Sequence, residues 1–157
     1  MNKDYTEGMT LFSEVLNMAK DELTGNQQVV VCAPFTHLHS LASLAANQTK
    51  VAVGAQNSHQ EESGAYTGEI SNAMLKSVGV HYVILGHSER RQYFGEDNAL
   101  LAKKTDAVLK HGLSPIFCIG ETLQERESGK HFDVIKSQLA EATFHLSAEE
   151  FAKLVIA

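Results

Sequence analysis

Cysteine is scarce in this chain: Cys32 and Cys118 are the only two among 157 residues. Two thiols make neither a disulfide framework nor a zinc-binding spacing, so the expected compartment is the reducing cytoplasm. Long apolar runs are also missing. None approaches the ~20 residues that span a bilayer, and a membrane is not an expected partner. Met1-Asn2-Lys3-Asp4 runs into an amphipathic pattern with no apolar signal core and no Arg-rich transit segment. Basic charge is in deficit, with 13 Lys and Arg against 19 Asp and Glu for a net charge of -6. Nucleic-acid surfaces are normally basic, so nucleic acid is not expected either. A small anionic substrate remains compatible, because the local field at a site can oppose the net charge. There is no Gly-x-Gly-x-x-Gly and no Walker loop. His37 and His39, at i,i+2, face opposite sides of a helix and read as solvated, and the other histidines lack ligand companions, so no metal is expected.

What the chain does have is regular alternation. With 43% hydrophobic and 20% charged residues and no repeat or linker, it reads as one globular domain. Asp4 and Glu7 suit a capping arrangement, and Tyr5, Met9, Phe12, Leu16, Ala19 and Leu23 then mark one face of a helix. Val29 to Ala33 is an apolar run that suits a strand buried on both faces. A helix from Thr36, a strand from Lys50 to Ala55, a helix from Ser71 to Ser77 and a strand from His81 to Leu85 follow. Further helices are expected over Asp97 to Lys110, Glu121 to Ser128 and His131 to Phe144, with strands over Leu113 to Ile119 and from Lys153 to Ala157. The loop from Gln56 to Glu69 is long for a βα connection, and long loops in compact domains are usually functional. Five strands joined by helical crossovers lie parallel. Both a doubly wound sheet and a section of a (β/α)8 barrel satisfy the pattern, and strand order decides between them.

The stretch Val83-Ile84-Leu85-Gly86-His87-Ser88-Glu89-Arg90-Arg91 carries the chemistry. An apolar strand stops at a glycine and then presents a histidine, and ligand chemistry in parallel α/β proteins sits at such strand ends. A lone histidine is more often structural than catalytic, but this one precedes Ser88 to Phe94, which reads as the first turns of a helix. The positive end of a helix dipole disfavours imidazolium. A neutral imidazole can donate a hydrogen bond to a carbonyl oxygen as it gains charge, which suits enolisation. Gly86-His87-Ser88-Glu89-Arg90 also resembles the Gly-x-Ser-x-Gly elbow of serine hydrolases, with Arg90 where the elbow needs glycine.

Taken together, Gly64-Ala65-Tyr66-Thr67-Gly68-Glu69, Gly86 to Arg91 and Cys118-Ile119-Gly120-Glu121, in that order and spacing, resemble the triose-phosphate isomerases. Met1-Asn2-Lys3 is similar to the tail of that family's Gly-Asn-Trp-Lys-Met-Asn segment, and the likeness covers essentially all 157 residues. The resemblance implies an α/β fold, a partial (β/α)8 TIM barrel with about five of the eight parallel strands. Residues 1–157 then form an incomplete barrel domain, from helix 1 through the start of strand 6. It implies interconversion of dihydroxyacetone phosphate and glyceraldehyde 3-phosphate by enediol proton transfer, in glycolysis and gluconeogenesis, without metal or organic cofactor. In that family a glutamate base works with a neutral histidine electrophile under a closing loop. Carried across, His87 is the electrophile and Glu89 a supporting residue. The resemblance likewise implies that Asn57, Thr67, Gly68, Glu69 and Arg90 belong to a homodimer interface. The family's substrate-binding asparagine and lysine are expected before Met1, and its base after Ala157. No substrate-binding residue is therefore assigned within the chain, and these residues alone are expected to be inactive. A noncatalytic binding or assembly module and, more distantly, a serine hydrolase are the competing readings.

Overall fold

A computed structural model describes residues 2–157. Helix α1 (Tyr5–Glu22) starts where expected, because the Asp4 carboxylate accepts from Glu7 N at 2.9 Å and the Glu7 carboxylate accepts from Asp4 N at 3.1 Å. It leads to β1 (Val29–Ala33), α2 (Phe35–Ala45) and β2 (Val51–Ala55). After the long loop come α3 (Asn72–Ser77), β3 (Tyr82–Leu85), α4 (Ser88–Phe94) and α5 (Asn98–Lys110). The remaining elements are β4 (Ser114–Phe117), α6 (Leu123–Glu127), α7 (His131–Thr143), α8 (Ala148–Phe151) and β5 (Val155–Ile156). Asp97, Thr122 and Ser147 cap α5, α6 and α8 with their side chains.

The five strands are all parallel and stand in the order β1-β2-β3-β4-β5. A doubly wound sheet needs a point where strand order reverses. No reversal occurs here, so right-handed crossovers place every helix on the same face, as in the wall of a (β/α)8 barrel. Burial follows from that geometry. Val83, Leu85 and Phe117 alternate toward the helices and are fully buried with Leu38, Leu101 and Val108, while Tyr82, Ile84 and Ile116 face the other way and are half-buried. Among the described residues β1 and β5 each pair on one side only. Val29 to Cys32 are accordingly half-buried, where a strand covered on both faces was expected.

His37 departs from the solvated reading. It is buried, with Nε2 3.0 Å from the Asp4 carbonyl and Nδ1 3.0 Å from Thr36 Oγ1, and so ties α2 to the start of α1. Gly8 makes room for it, since a Cβ there would lie 2.5 Å from His37 Nε2. His39 is exposed as expected.

A buried charge cluster locks the start of the long loop to α4 and α5. Glu96 Oε1 accepts from Lys104 Nζ at 2.6 Å and from Arg90 Nε at 2.7 Å, and Lys104 Nζ also donates to Asn57 Oδ1 at 2.8 Å. The Glu96 and Lys104 side chains are 3% and 4% exposed. Burial alone would raise the Glu96 carboxyl, but hydrogen bonds from Lys104 and Arg90 outweigh it and hold the group below its ordinary value. Burial pulls the Lys104 ammonium down, and Glu96 opposes that pull. A depressed carboxyl contributes stability above its unfolded-state pKa, and that contribution is lost as pH falls through the folded value. The depressed lysine acts in the opposite sense, weakening the fold wherever it stays protonated. Replacing Glu96 by Gln strands a buried ammonium, for which the expected cost is about 3–5 kcal/mol. The expected signature is a lowered denaturant midpoint in Glu96→Gln at pH 7. The acid-induced loss of stability just below the ordinary carboxylate range should also shrink in the variant. A midpoint unchanged from the parent would show that the cluster contributes nothing.

Candidate active site at the carboxyl ends of the strands

The β3–β4 ladder pairs Leu85 with Phe117, and its last backbone bond runs from Cys118 N to Leu85 O at 2.8 Å. Gly86 then turns the chain at φ +71°. A Cβ there would meet Cys118 O at 3.0 Å and Arg91 Nη2 at 2.9 Å, so both backbone angle and space call for glycine. The turn delivers His87 to the N-cap of α4, where its carbonyl accepts from Arg90 N at 2.9 Å and Arg91 N at 3.0 Å.

The imidazole caps the helix as well. His87 Nδ1 accepts from Glu89 N at 3.3 Å. A nitrogen that accepts carries a lone pair, so this contact assigns the ring proton to Nε2, which has no partner among the described residues and is available as a donor. The Glu89 carboxylate is 3.8 Å from the same Nδ1, beyond hydrogen-bond reach, and its side chain is 72% exposed, where water screens it. The backbone contact therefore sets the tautomer. The His87 side chain is 45% exposed and lines two cavities. One, of about 810 Å³, opens over Gly86, Cys118, Gly120, Glu121 and Leu123 at the carboxyl ends of β3, β4 and β5. The other, of about 360 Å³, lies toward Phe35, Asn57, Ile84 and Phe94. A third, mostly apolar cavity of about 240 Å³ sits between α1 and β1, away from the histidine.

Around the larger cavity the backbone is held by side chains. Gln138 on α7 grips Gly120 twice, with Nε2 donating to its carbonyl at 2.9 Å and Oε1 accepting from its N–H at 2.9 Å. Glu121 is engaged by Arg126. Burial pushes the Cys32 thiol up to about 11, reinforced by Cys118, and burial raises Cys118 as well, with Arg91 opposing. Neither cysteine is a thiolate near neutral pH.

The other residues singled out from sequence divide into two places. Asn57 and Arg90 meet through Lys104 and Glu96 in the buried cluster, and Arg90 also lies over the Phe94 ring at 4.4 Å. Thr67, Gly68 and Glu69 are exposed at the far end of the loop, braced by Glu69 N donating to Tyr66 O at 3.0 Å and by the Tyr66 ring 4.6 Å from that of His59. Ser88 is exposed at the first position of α4, and among the described residues no hydrogen bond joins its hydroxyl to a base. No group of three or more His, Cys, Asp or Glu side chains among the described residues is arranged to hold a metal. No helix among them is long and apolar enough to cross a membrane. Glu96, Lys104, Arg91 and Gln138 were not singled out from sequence. Only Lys104 carried a signal, since it shares a helix face with Leu101, Thr105 and Val108, and a lysine on an apolar face needs a buried anion.

A family model described as triosephosphate isomerase matches residues 1–157. The triosephosphate isomerases of Cytophaga hutchinsonii and of Porphyromonas gingivalis strain W83 are 55% and 49% identical to the chain over all of its 157 residues, which cover 62% of each relative. That of Bacteroides fragilis is 51% identical over the same residues, 61% of its own length. The chain thus spans about 62% of the length of these curated relatives. On the match across its whole length, the chain belongs to the triosephosphate isomerase family.

Proposed function

We propose that a full-length protein carrying this chain interconverts dihydroxyacetone phosphate and glyceraldehyde 3-phosphate, with His87 as the electrophile. The reading rests on one contact, the Glu89 N–H that occupies His87 Nδ1 and leaves Nε2–H with no partner among the described residues, on a ring that lines two cavities. Isomerisation removes a proton from the carbon next to a carbonyl, and negative charge develops on the carbonyl oxygen. A neutral N–H donor pointed at that oxygen stabilises the charge as it forms and can then carry the proton between the two oxygens. Family membership supports the triose phosphate as substrate.

The carbon acid also needs a base. Glu89 lies on the Nδ1 side of the ring and Glu121 is engaged by Arg126, so neither is poised for it. A positioned base is worth about 10²–10⁴-fold, and the 157 residues by themselves are expected to show no appreciable turnover in a coupled assay. We further read residues 1–157 as one barrel unit running from helix 1 into the sixth strand, and the protein as a cytoplasmic homodimer of glycolysis and gluconeogenesis. The exposed tip at Thr67, Gly68 and Glu69 supports the dimer, with Asn57 and Arg90 anchoring the loop from beneath. Exposed Tyr93 and Phe94 beside Arg90 supply apolar area for such a contact.

Two outcomes test the assignment. In the full-length protein, His87→Ala should lower kcat by about 10²–10³-fold, as losing a donor aimed at an oxyanion does. Because the ring also caps α4, the same change should cost about 1 kcal/mol of stability. His87→Asn keeps a capping acceptor, so it should recover the denaturant midpoint without recovering turnover. Near-parental kcat in either variant would remove His87 from the chemistry. The hydrolase reading predicts stoichiometric capture of Ser88 by a fluorophosphonate probe. With Arg90 committed to Glu96 and no base at the hydroxyl, the expected labelling is none.

A further inference from the structure

Arg91 makes more contacts than a surface arginine on a short helix requires. Its Nε donates to the Gly86 carbonyl at 2.8 Å and its Nη2 to the Cys118 carbonyl at 3.2 Å. These are the first carbonyls of β3 and β4 beyond the last ladder bond, where the sheet offers them no partner. The remaining terminal nitrogen, Nη1, donates to Asn98 Oδ1 at 2.8 Å. Asn98 Nδ2 in turn donates to Glu141 Oε2 at 3.1 Å on α7, and Glu141 also accepts from Ser137. The same guanidinium lies 5.9 Å from the centroid of the Phe117 ring on β4. A planar fork with donors in fixed directions can span three acceptors at once, which an ammonium on a flexible stem cannot.

We propose that Arg91 is a positioning residue for His87. Its guanidinium continues the β3–β4 ladder by one step, fixing the Gly86 carbonyl, and hence the peptide that carries His87, against β4 and, through Asn98 and Glu141, against α7. Gly86 is the complementary half of the device, because any Cβ there would collide with Arg91 Nη2 and Cys118 O. Burial lowers the Arg91 pKa from its ordinary value, and Cys118 and Glu96 oppose that shift. An arginine stays protonated under such a shift, so all its donors persist. The kinetic consequence rests on the isomerase reading; the placement of the imidazole does not.

The test uses Arg91→Met and Arg91→Lys in the full-length protein. Four quantities are measured: kcat, KM, the denaturant midpoint and the imidazole ¹⁵N signals of His87 in histidine-labelled protein. In Arg91→Met, kcat should fall about 10²-fold, the scale of a misplacement near 1 Å, with KM changed by less than about threefold. The His87 ¹⁵N signals should shift or broaden as the Nδ1 contact loosens. Arg91→Lys should recover only part of both effects, because one ammonium cannot bridge the three acceptors. A purely structural arginine would lower the midpoint and leave kcat and the imidazole signals at parental values, and that result overturns the proposal. So does a fall in kcat with unmoved His87 signals, or moved signals with parental kcat. If Arg91→Met does not fold, Arg91→Lys is judged by the same criteria. If the parent protein has no isomerase activity, the proposed function fails, and the imidazole signals alone decide the positioning role: unmoved signals overturn it.

Discussion

The β3–β4 ladder fixes the backbone as far as its last hydrogen bond, from Cys118 N to Leu85 O, and the chain beyond that bond needs other restraints. Gly86 takes the left-handed turn that an L side chain resists, and His87 carries the first side chain beyond the sheet. Its carbonyl and its imidazole both accept from the first turn of α4, so one residue serves as strand exit and helix cap. The ring cannot rotate away without releasing Glu89 N, and this capping contact sets which nitrogen carries the proton. Cap geometry and candidate chemistry are the same interaction.

The scaffold behind that turn is held by charge as much as by apolar packing. Glu96 and Lys104 are buried where the desolvation cost is high, and their attraction offsets it only because Arg90 and Asn57 satisfy further donors and acceptors. Arg90 comes from α4, Lys104 from α5 and Asn57 from the long loop, so the cluster joins the histidine helix to the start of the loop. Glu96 Oε2 remains buried with no partner among the described residues. The neighbouring Arg91 performs the corresponding task from a different face of α4, reaching β4 and α7. Two consecutive arginines, about 100° apart around a short helix, thus tie it to different neighbours.

Much of the fold follows from local patterns along the chain. Asp4 with Glu7 and Ser147 with Glu150 form the capping boxes that their spacing suggests, because such boxes need only the residues within one turn. Helices α1, α3, α5 and α7 fall within a residue or two of the periodic segments that announce them, and α4 matches Ser88 to Phe94. The burial of His37 is not legible in the sequence, because its partner, the carbonyl of Asp4, is distant along the chain and caps another helix.

The sequence by itself determined the alternation of helices and strands, the glycine–histidine exit from β3 and, through the motifs around it, the family. These depend on residue type and short-range spacing, which the chain displays directly. Tertiary structure alone decided that strand order runs without reversal, since neighbours in a sheet are chosen by how crossovers pack and not by any one strand's composition. It alone decided the tautomer-setting contact at His87 Nδ1 and separated Asn57 and Arg90 from Thr67, Gly68 and Glu69. It also gave Lys104, Glu96 and Arg91 their roles. Hydrogen bonds and ion pairs act over a few ångströms in space, and only the folded chain brings residues from different elements within that range.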